Sequence, residues 1–145
     1  MNPFSPILFD EHYADLHQKS GLSDSKIKTV CDTGFRSLTL TQARKLKFPI
    51  PKGVKTTLRI TYPGTKFSRI KLFPPSGKQK YSQKKGSGVH LFVPPGNDPR
   101  LYDPNVPLFI VEGEKKALKG SQEGMCCVAI GGIWCWWDKR NIRVR

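Results

Sequence analysis

The chain has 145 residues and carries 25 Lys and Arg against 11 Asp and Glu, a formal net charge of +14 at pH 7. That length bounds the fold to one domain, or one small domain with an appendage. No apolar run reaches transmembrane length, the start Met-Asn-Pro-Phe-Ser-Pro lacks a signal-peptide pattern, and the four cysteines form no Cys-x-x-Cys pair, so a membrane span and a disulfide scaffold are both disfavoured. The expectation is a cytoplasmic protein with reduced thiols.

Residues 1–48 read as a helical N-terminal region. Asp10 to Lys19 can form a first helix. A second follows Ser23, a good N-cap residue, with Ile27 and Val30 three apart on one face. Thr41 to Lys47 can form a third, capped by Thr39 or Thr41. Short helices joined by tight turns fit either a helix-turn-helix-like appendage or a packing lid without a nucleic-acid role.

Residues 49–106 read as a basic β-hairpin and loop region. Thr56 to Tyr62 alternates as a strand, with Leu58, Ile60 and Tyr62 on one face and Thr57, Arg59 and Thr61 on the other. Pro63-Gly64 is turn chemistry. Phe67 to Phe73 is the returning strand, where Arg69 and Lys71 share a face and Ile70 and Leu72 share the opposite one. Residues 74–88 are expected to be a flexible basic excursion, 89–93 a third strand, and 94–107 an exposed connection rich in proline and glycine.

Charge is concentrated in this middle part. Residues 46–97 hold 11 basic residues and no acid, whereas residues 1–45 hold 6 basic and 5 acidic and residues 98–145 hold 8 and 6. A polyanion is the natural partner of such a segment. Lysine and arginine neutralise phosphates and release counterions, and an aromatic ring among them can stack on an unpaired base. The candidate contacts to single-stranded DNA or RNA are therefore Arg59, Lys66, Arg69, Lys71, Lys78, Lys80, Tyr81, Lys84 and Lys85. Phe67 and Phe73 fit strand alternation and are assigned to the core rather than to stacking.

In residues 107–145, Leu108 to Val111 reads as a short buried strand ending in Glu112-Gly113, followed by helix formers from Glu114 to Lys119. Gly113 permits a tight strand-to-helix turn. Glu112 is then either a residue whose charge favours the start of the helix or a ligand or proton-transfer group at the strand end. Glu114 is expected to face solvent or to pair with the lysines at 115–119. Cys126 to Ile130 reads as a second strand, and its adjacent cysteines, pointing to opposite faces, argue against a zinc site. Ile133, Trp134, Trp136 and Trp137 form an apolar patch suited to a homodimer or a protein partner.

The Ile110-Val111-Glu112-Gly113 motif with its helix, and Gly131-Gly132-Ile133-Trp134 after a second strand, resemble the TOPRIM domain of bacterial-type primases, type IA and II topoisomerases and some nucleases. The order Lys80-Tyr81, Gly86-Ser87-Gly88, the segment 89–93, the glutamate motif and the Gly-Ile-Trp turn is similar to the TOPRIM-like part of plasmid and phage primase–helicase proteins. Leu16 to Ser23 and Arg36-Ser37 resemble the opening of such proteins. The resemblance implies an α+β fold with a partial TOPRIM-like β-α-β unit in 107–145, Glu112 as catalytic and metal-binding residue, and Mg²⁺ in a full-length protein. It also implies nucleic-acid binding within a DNA-replication protein of a mobile element. The family's Asp-x-Asp pair is not found, and its acid four residues after the glutamate is Lys116 here. This chain is therefore expected to be truncated before that motif and catalytically incomplete alone. The alternative is a small mobile-element interaction protein, an anti-CRISPR-like inhibitor of a host nucleic-acid-binding complex.

Overall fold

The register between two strands decides which charges reach the surface. In a computed structural model, which describes residues 1–132, Thr56–Thr61 (β2) pairs antiparallel with Ser68–Ser76 (β3), placing Leu58 opposite Lys71 and Ile60 opposite Arg69. Directly opposed residues share a face. Arg69 and Lys71 therefore lie on the same face as Leu58 and Ile60, and Ile70 and Leu72 lie with Arg59 and Thr57.

Two further strands complete a four-stranded antiparallel sheet in the order β1-β2-β3-β4, with β1 at Arg36–Thr39 and β4 at Gln79–Ser82. β1 is too short and polar to stand out as a strand in the sequence. β4 corrects the expectation of a flexible excursion: β3 runs on to Ser76, Gly77-Lys78 turns the chain, and β4 returns beside β3 with a register shift between Lys71 and Ser76. Gly77, at φ 57°, supplies the left-handed conformation that the turn requires.

Both faces of the sheet are covered. On one lie Asp10–Ala14 (α1), which runs directly into a π-helical segment Asp15–Lys19, and Asp24–Asp32 (α2). The Ser23 hydroxyl caps α2 by accepting from the Lys26 N–H, and Ile27 and Val30 are buried. On the other face Leu40–Lys45 (α3), closed by a Thr39–Gln42 capping box, packs with the chain after it. There Leu38, Ala43, Phe48, Val54, Ile70 and Leu72 form one hydrophobic cluster.

Polar contacts fix α1 on its face. Lys71 Nζ donates to Asp15 at 2.6 Å, with the two side chains 13% and 4% exposed. His12, fully buried, meets Ser37 Oγ at 2.6 Å and Thr56 Oγ1 at 3.1 Å and lies against the Phe73 ring. Ser37 Oγ also accepts from the Phe9 N–H, and Thr56 donates to Glu11. The N-terminal helices are thus integral to the sheet. The chain divides into two units, 1–87 and 88–145, rather than at 48/49 and 106/107.

In the second unit Phe109–Glu112 (β5) and Cys127–Ile130 (β6) pair in parallel, joined by Glu114–Gln122 (α4). Together with the antiparallel sheet of the first unit this is an α+β fold. The third strand expected at 89–93 is reduced to a single antiparallel bridge, where Phe92 exchanges two 2.9 Å backbone hydrogen bonds with Ala129. Pro94 and Pro95 follow and have no N–H with which to extend the ladder. β5 is a strand but not a buried one: Phe109 is 44% and Ile110 63% exposed.

α4 packs on β6 through Gly120, where an added Cβ would clash with Cys127 Sγ. Cys126 and Cys127 are buried free thiols. Among the described residues no helix is long and apolar enough to cross a membrane. The expected patch Ile133, Trp134, Trp136 and Trp137 lies outside the described residues.

Three expected outcomes follow from this packing. Lys71→Met removes the cation that meets the buried Asp15 carboxylate and should cost about 3–5 kcal/mol in urea unfolding, whereas exposed Lys78→Met should change stability by less than about 0.5 kcal/mol; equal effects would contradict the burial of the pair. Gly120→Ala should lower stability by about 1–3 kcal/mol through overpacking, and adding Cys127→Ala should recover part of the loss by removing the sulfur.

The third concerns pH. Burial lowers the His12 pKa from 6.5 to about 4, against opposing pulls from Glu11 and Asp15. The folded state then holds fewer protons than the unfolded one. Stability from neutral His12 is complete above about pH 6.5 and declines as pH falls toward 4, by up to about 3 kcal/mol. Chemical denaturation from pH 7 to 4 should show this loss, and His12→Gln should flatten it; a wild-type curve no steeper than that of the variant would refute the assignment.

Candidate nucleic-acid interface

The sequence candidates separate into two groups once folded. Arg69 is 7% exposed, and its guanidinium lies 4.1 Å from the Tyr81 ring centroid. Lys71 is committed to Asp15 and lies over the Phe73 ring. Arg59 is half-buried and donates through Nε to Ser68 Oγ at 3.2 Å. Tyr81 is half-buried, with one side of its ring beside Arg69. These four side chains are held by the sheet. Arg69 and Lys71 in particular point toward the helix-covered face and are structural, which corrects their assignment to the nucleic-acid surface. Phe67 is buried and meets Tyr62 edge-on, as a core residue should.

Lys66, Lys78, Lys80, Lys84 and Lys85 are exposed. The structure adds three lysines that charge counting alone did not single out. The segment 46–55 is stitched along the β3–β4 hairpin by three hydrogen bonds. Ser82 Oγ donates to Pro49 O at 2.6 Å, Ser76 Oγ donates to Lys52 O at 2.9 Å, and the Lys55 N–H donates to Phe73 O at 2.8 Å. Lys47, Lys52 and Lys55 are exposed on this strap. Their sequence signal was present, since they fall in the acid-free stretch, but only the hydrogen bonds join them to the hairpin.

Beyond β4, Lys84 Nζ lies 5.3 Å from the Phe48 ring centroid, and Ser87 closes a turn by donating from its N–H and hydroxyl to Lys84 O. The outcome is a lysine edge made of three chain segments: the strap with Lys47, Lys52 and Lys55, the hairpin turn and β4 with Lys78 and Lys80, and the following turn with Lys84 and Lys85. All five acids of the first unit, Asp10, Glu11, Asp15, Asp24 and Asp32, lie on the helical segments between Asp10 and Asp32. No carboxylate in the chain segments of the edge offsets its field.

The second unit carries the carboxylate motif. Glu112 ends β5 opposite Ile130, and Gly113, at φ 94°, turns the chain into α4 while its N–H donates to Ile130 O. Glu112 is exposed at this turn and not held in a crevice. Glu114, expected to face solvent or to pair with the lysines at 115–119, is fully buried, which rules out the solvent-facing alternative. The helical period explains the correction: Glu114, Ala117 and Leu118 stand at i, i+3 and i+4 and share the buried stripe of α4. As the first residue of the helix, Glu114 also places its charge where the unsatisfied N–H groups favour it.

Nearby, Arg100 binds both Asp98 oxygens and donates to Gly124 O at 2.7 Å, fastening the 3₁₀ turn Pro99–Tyr102 to the end of α4. This contact holds the Asp98 carboxyl below its usual pKa. A cavity of about 260 Å³ beside it is lined by Asp98, Arg100, Ser121 and Cys126. Among the described residues no group of three His, Cys, Asp or Glu side chains converges. A Mg²⁺ ion needs more oxygen ligands than Glu112 alone provides. The described residues do not fit such an ion, and no chemistry is derived through one.

Comparison with known proteins bears on the second unit. The model of a domain of unknown function, DUF3854, matches residues 100–144, a span that includes β5, α4 and β6. A search of the curated proteins and a search of the solved structures found no match.

Proposed function

We propose that this chain is the nucleic-acid-binding portion of a TOPRIM-containing, primase–helicase-like DNA-replication protein, catalytically incomplete alone. The observation that carries the reading is the lysine edge: Lys47, Lys52, Lys55, Lys78 and Lys80 are exposed on a strap and a hairpin that hydrogen bonds hold side by side, and Lys84 and Lys85 are exposed on the turn that follows, where Lys84 lies over Phe48. Such an edge neutralises phosphates at several points and gains from counterion release. The strand–Glu112–Gly113–helix arrangement of the second unit supports the TOPRIM-like part of the reading, because α/β units place ligand-binding residues at the carboxyl ends of their strands.

One observation favours a second reading, that of an interaction protein. Parallel strands are ordinarily covered on both faces, yet β5 exposes Phe109 and Ile110, and Leu108 just before it is exposed too.

Titration with labelled nucleic acid at several salt concentrations tests the first reading. Binding should weaken steeply with salt, and replacing Lys78, Lys80, Lys84 and Lys85 together by Gln should flatten the log–log slope by roughly 3 while leaving the circular dichroism spectrum unchanged. Salt-independent binding, or an unaltered slope in the quadruple variant, would remove the lysine edge from the function.

A further inference from the structure

Resting on the nucleic-acid reading above, we infer that the lysine edge grips the phosphate backbone of duplex nucleic acid and neither stacks on bases nor reads them. A preference for single strands needs aromatic rings presented to unpaired bases. In residues 1–87, all of them described, no aromatic side chain is exposed. The ring that the sequence offers for stacking, Tyr81, is half-buried and carries the Arg69 guanidinium 4.1 Å from its centroid. Phe48 is buried beneath Lys84, and Phe73 is flanked by His12 and Lys71.

The cations of the edge are also of one kind. Arginine presents a planar fork suited to bidentate recognition, whereas lysine is a flexible point charge that suits a phosphate without fixing a base. All seven members of the edge are lysines. Of the two arginines in residues 46–87, Arg59 is turned to Ser68 and Arg69 to Tyr81; exposed Arg44 precedes the strap on α3.

Point charges without stacking respond to charge density. A duplex presents one phosphate charge per about 1.7 Å of axis and releases more counterion per contact than a single strand, with slopes of about −0.9 against −0.7 per phosphate. A backbone-only edge therefore favours the duplex. Hydrogen bonds hold the strap against the β3–β4 hairpin, so the backbone that carries these lysines is already ordered, whereas a flexible single strand loses conformational entropy on binding.

Fluorescence anisotropy with the whole chain separates these cases. The probes are a labelled duplex of about two helical turns, its two component strands, and homopolymeric dA and dT strands of the same length. The expected result is duplex binding roughly tenfold tighter than either strand at low salt, with a steeper salt slope and no difference between dA and dT. Tyr81→Leu, with its fold checked by circular dichroism, should change single-strand affinity by less than about twofold, against the roughly tenfold loss expected of a stacking ring. Single strands bound as tightly as the duplex, or a dA/dT difference that Tyr81→Leu abolishes, would overturn the inference and leave the nucleic-acid reading standing. Failure of both duplex and single strands to bind at low salt would overturn the two together.

Discussion

The buried Lys71–Asp15 pair is the contact on which the first unit depends. Taking two charges out of water is costly, and a well-packed apolar pair of the same volume would stabilise the fold as much or more. What the polar set adds is a restriction on docking. Asp15 must reach Lys71, and His12 must reach Ser37 and Thr56, or these buried polar groups lose the contacts that offset their burial. A helix displaced by one turn over the sheet would break all of these contacts at once. The short helices α1 and α2 and the π-helical segment between them are too small to be held by intrinsic propensity, so this restriction and the surrounding core fix their position.

That same contact sorts the charge. Two of the basic residues in the acid-free stretch, Arg69 and Lys71, are drawn to the helix-covered face and spent on Tyr81 and Asp15. Arg59 is half-buried against Ser68, and the lysines of the stretch other than Lys71 are left outside, three of them on the strap. The acids of the unit sit on the helical segments, where Asp15 is consumed by Lys71 and Asp32 by Lys28. The result is a unit whose negative charge is largely confined to one part of the chain and whose lysine edge carries the positive field. Exposed ion pairs of the Lys28–Asp32 kind contribute little to stability. The charges of the edge are therefore better understood through what they attract.

The second unit follows a different logic. A parallel pair requires a crossover, which α4 supplies, and close approach of helix to strand requires Gly120 over Cys127. The helix buries Glu114 and leaves Glu112 outside at the turn, so the two glutamates of the motif have separate roles. Glu114 belongs to the packing of α4. Glu112 stands exposed at the carboxyl end of β5, where Phe109 and Ile110 are exposed as well.

The strands of the hairpin, the caps at Ser23 and Thr39, the turn at Gly113 and the concentration of positive charge were legible in the sequence, because each rests on local rules: alternation, capping hydroxyls, glycine at a positive φ, and simple counting. Four things were decided only by tertiary structure. Which face of the sheet receives Arg69 and Lys71 depends on the partner strand and on the helices above it, and alternation within one strand is silent about both. β1 exists because β2 offers it an edge, four residues being too few to declare a strand alone. The strap joins the hairpin through hydrogen bonds between residues 24 and 33 positions apart. Glu114 is buried because the phase of a helix, and not the charge of a residue, determines which side meets the sheet. The sequence alone determined how much positive charge this protein carries and roughly where along the chain; long-range pairing determined which of those charges remain free to face a partner, since burial is a property of neighbours that only folding brings together.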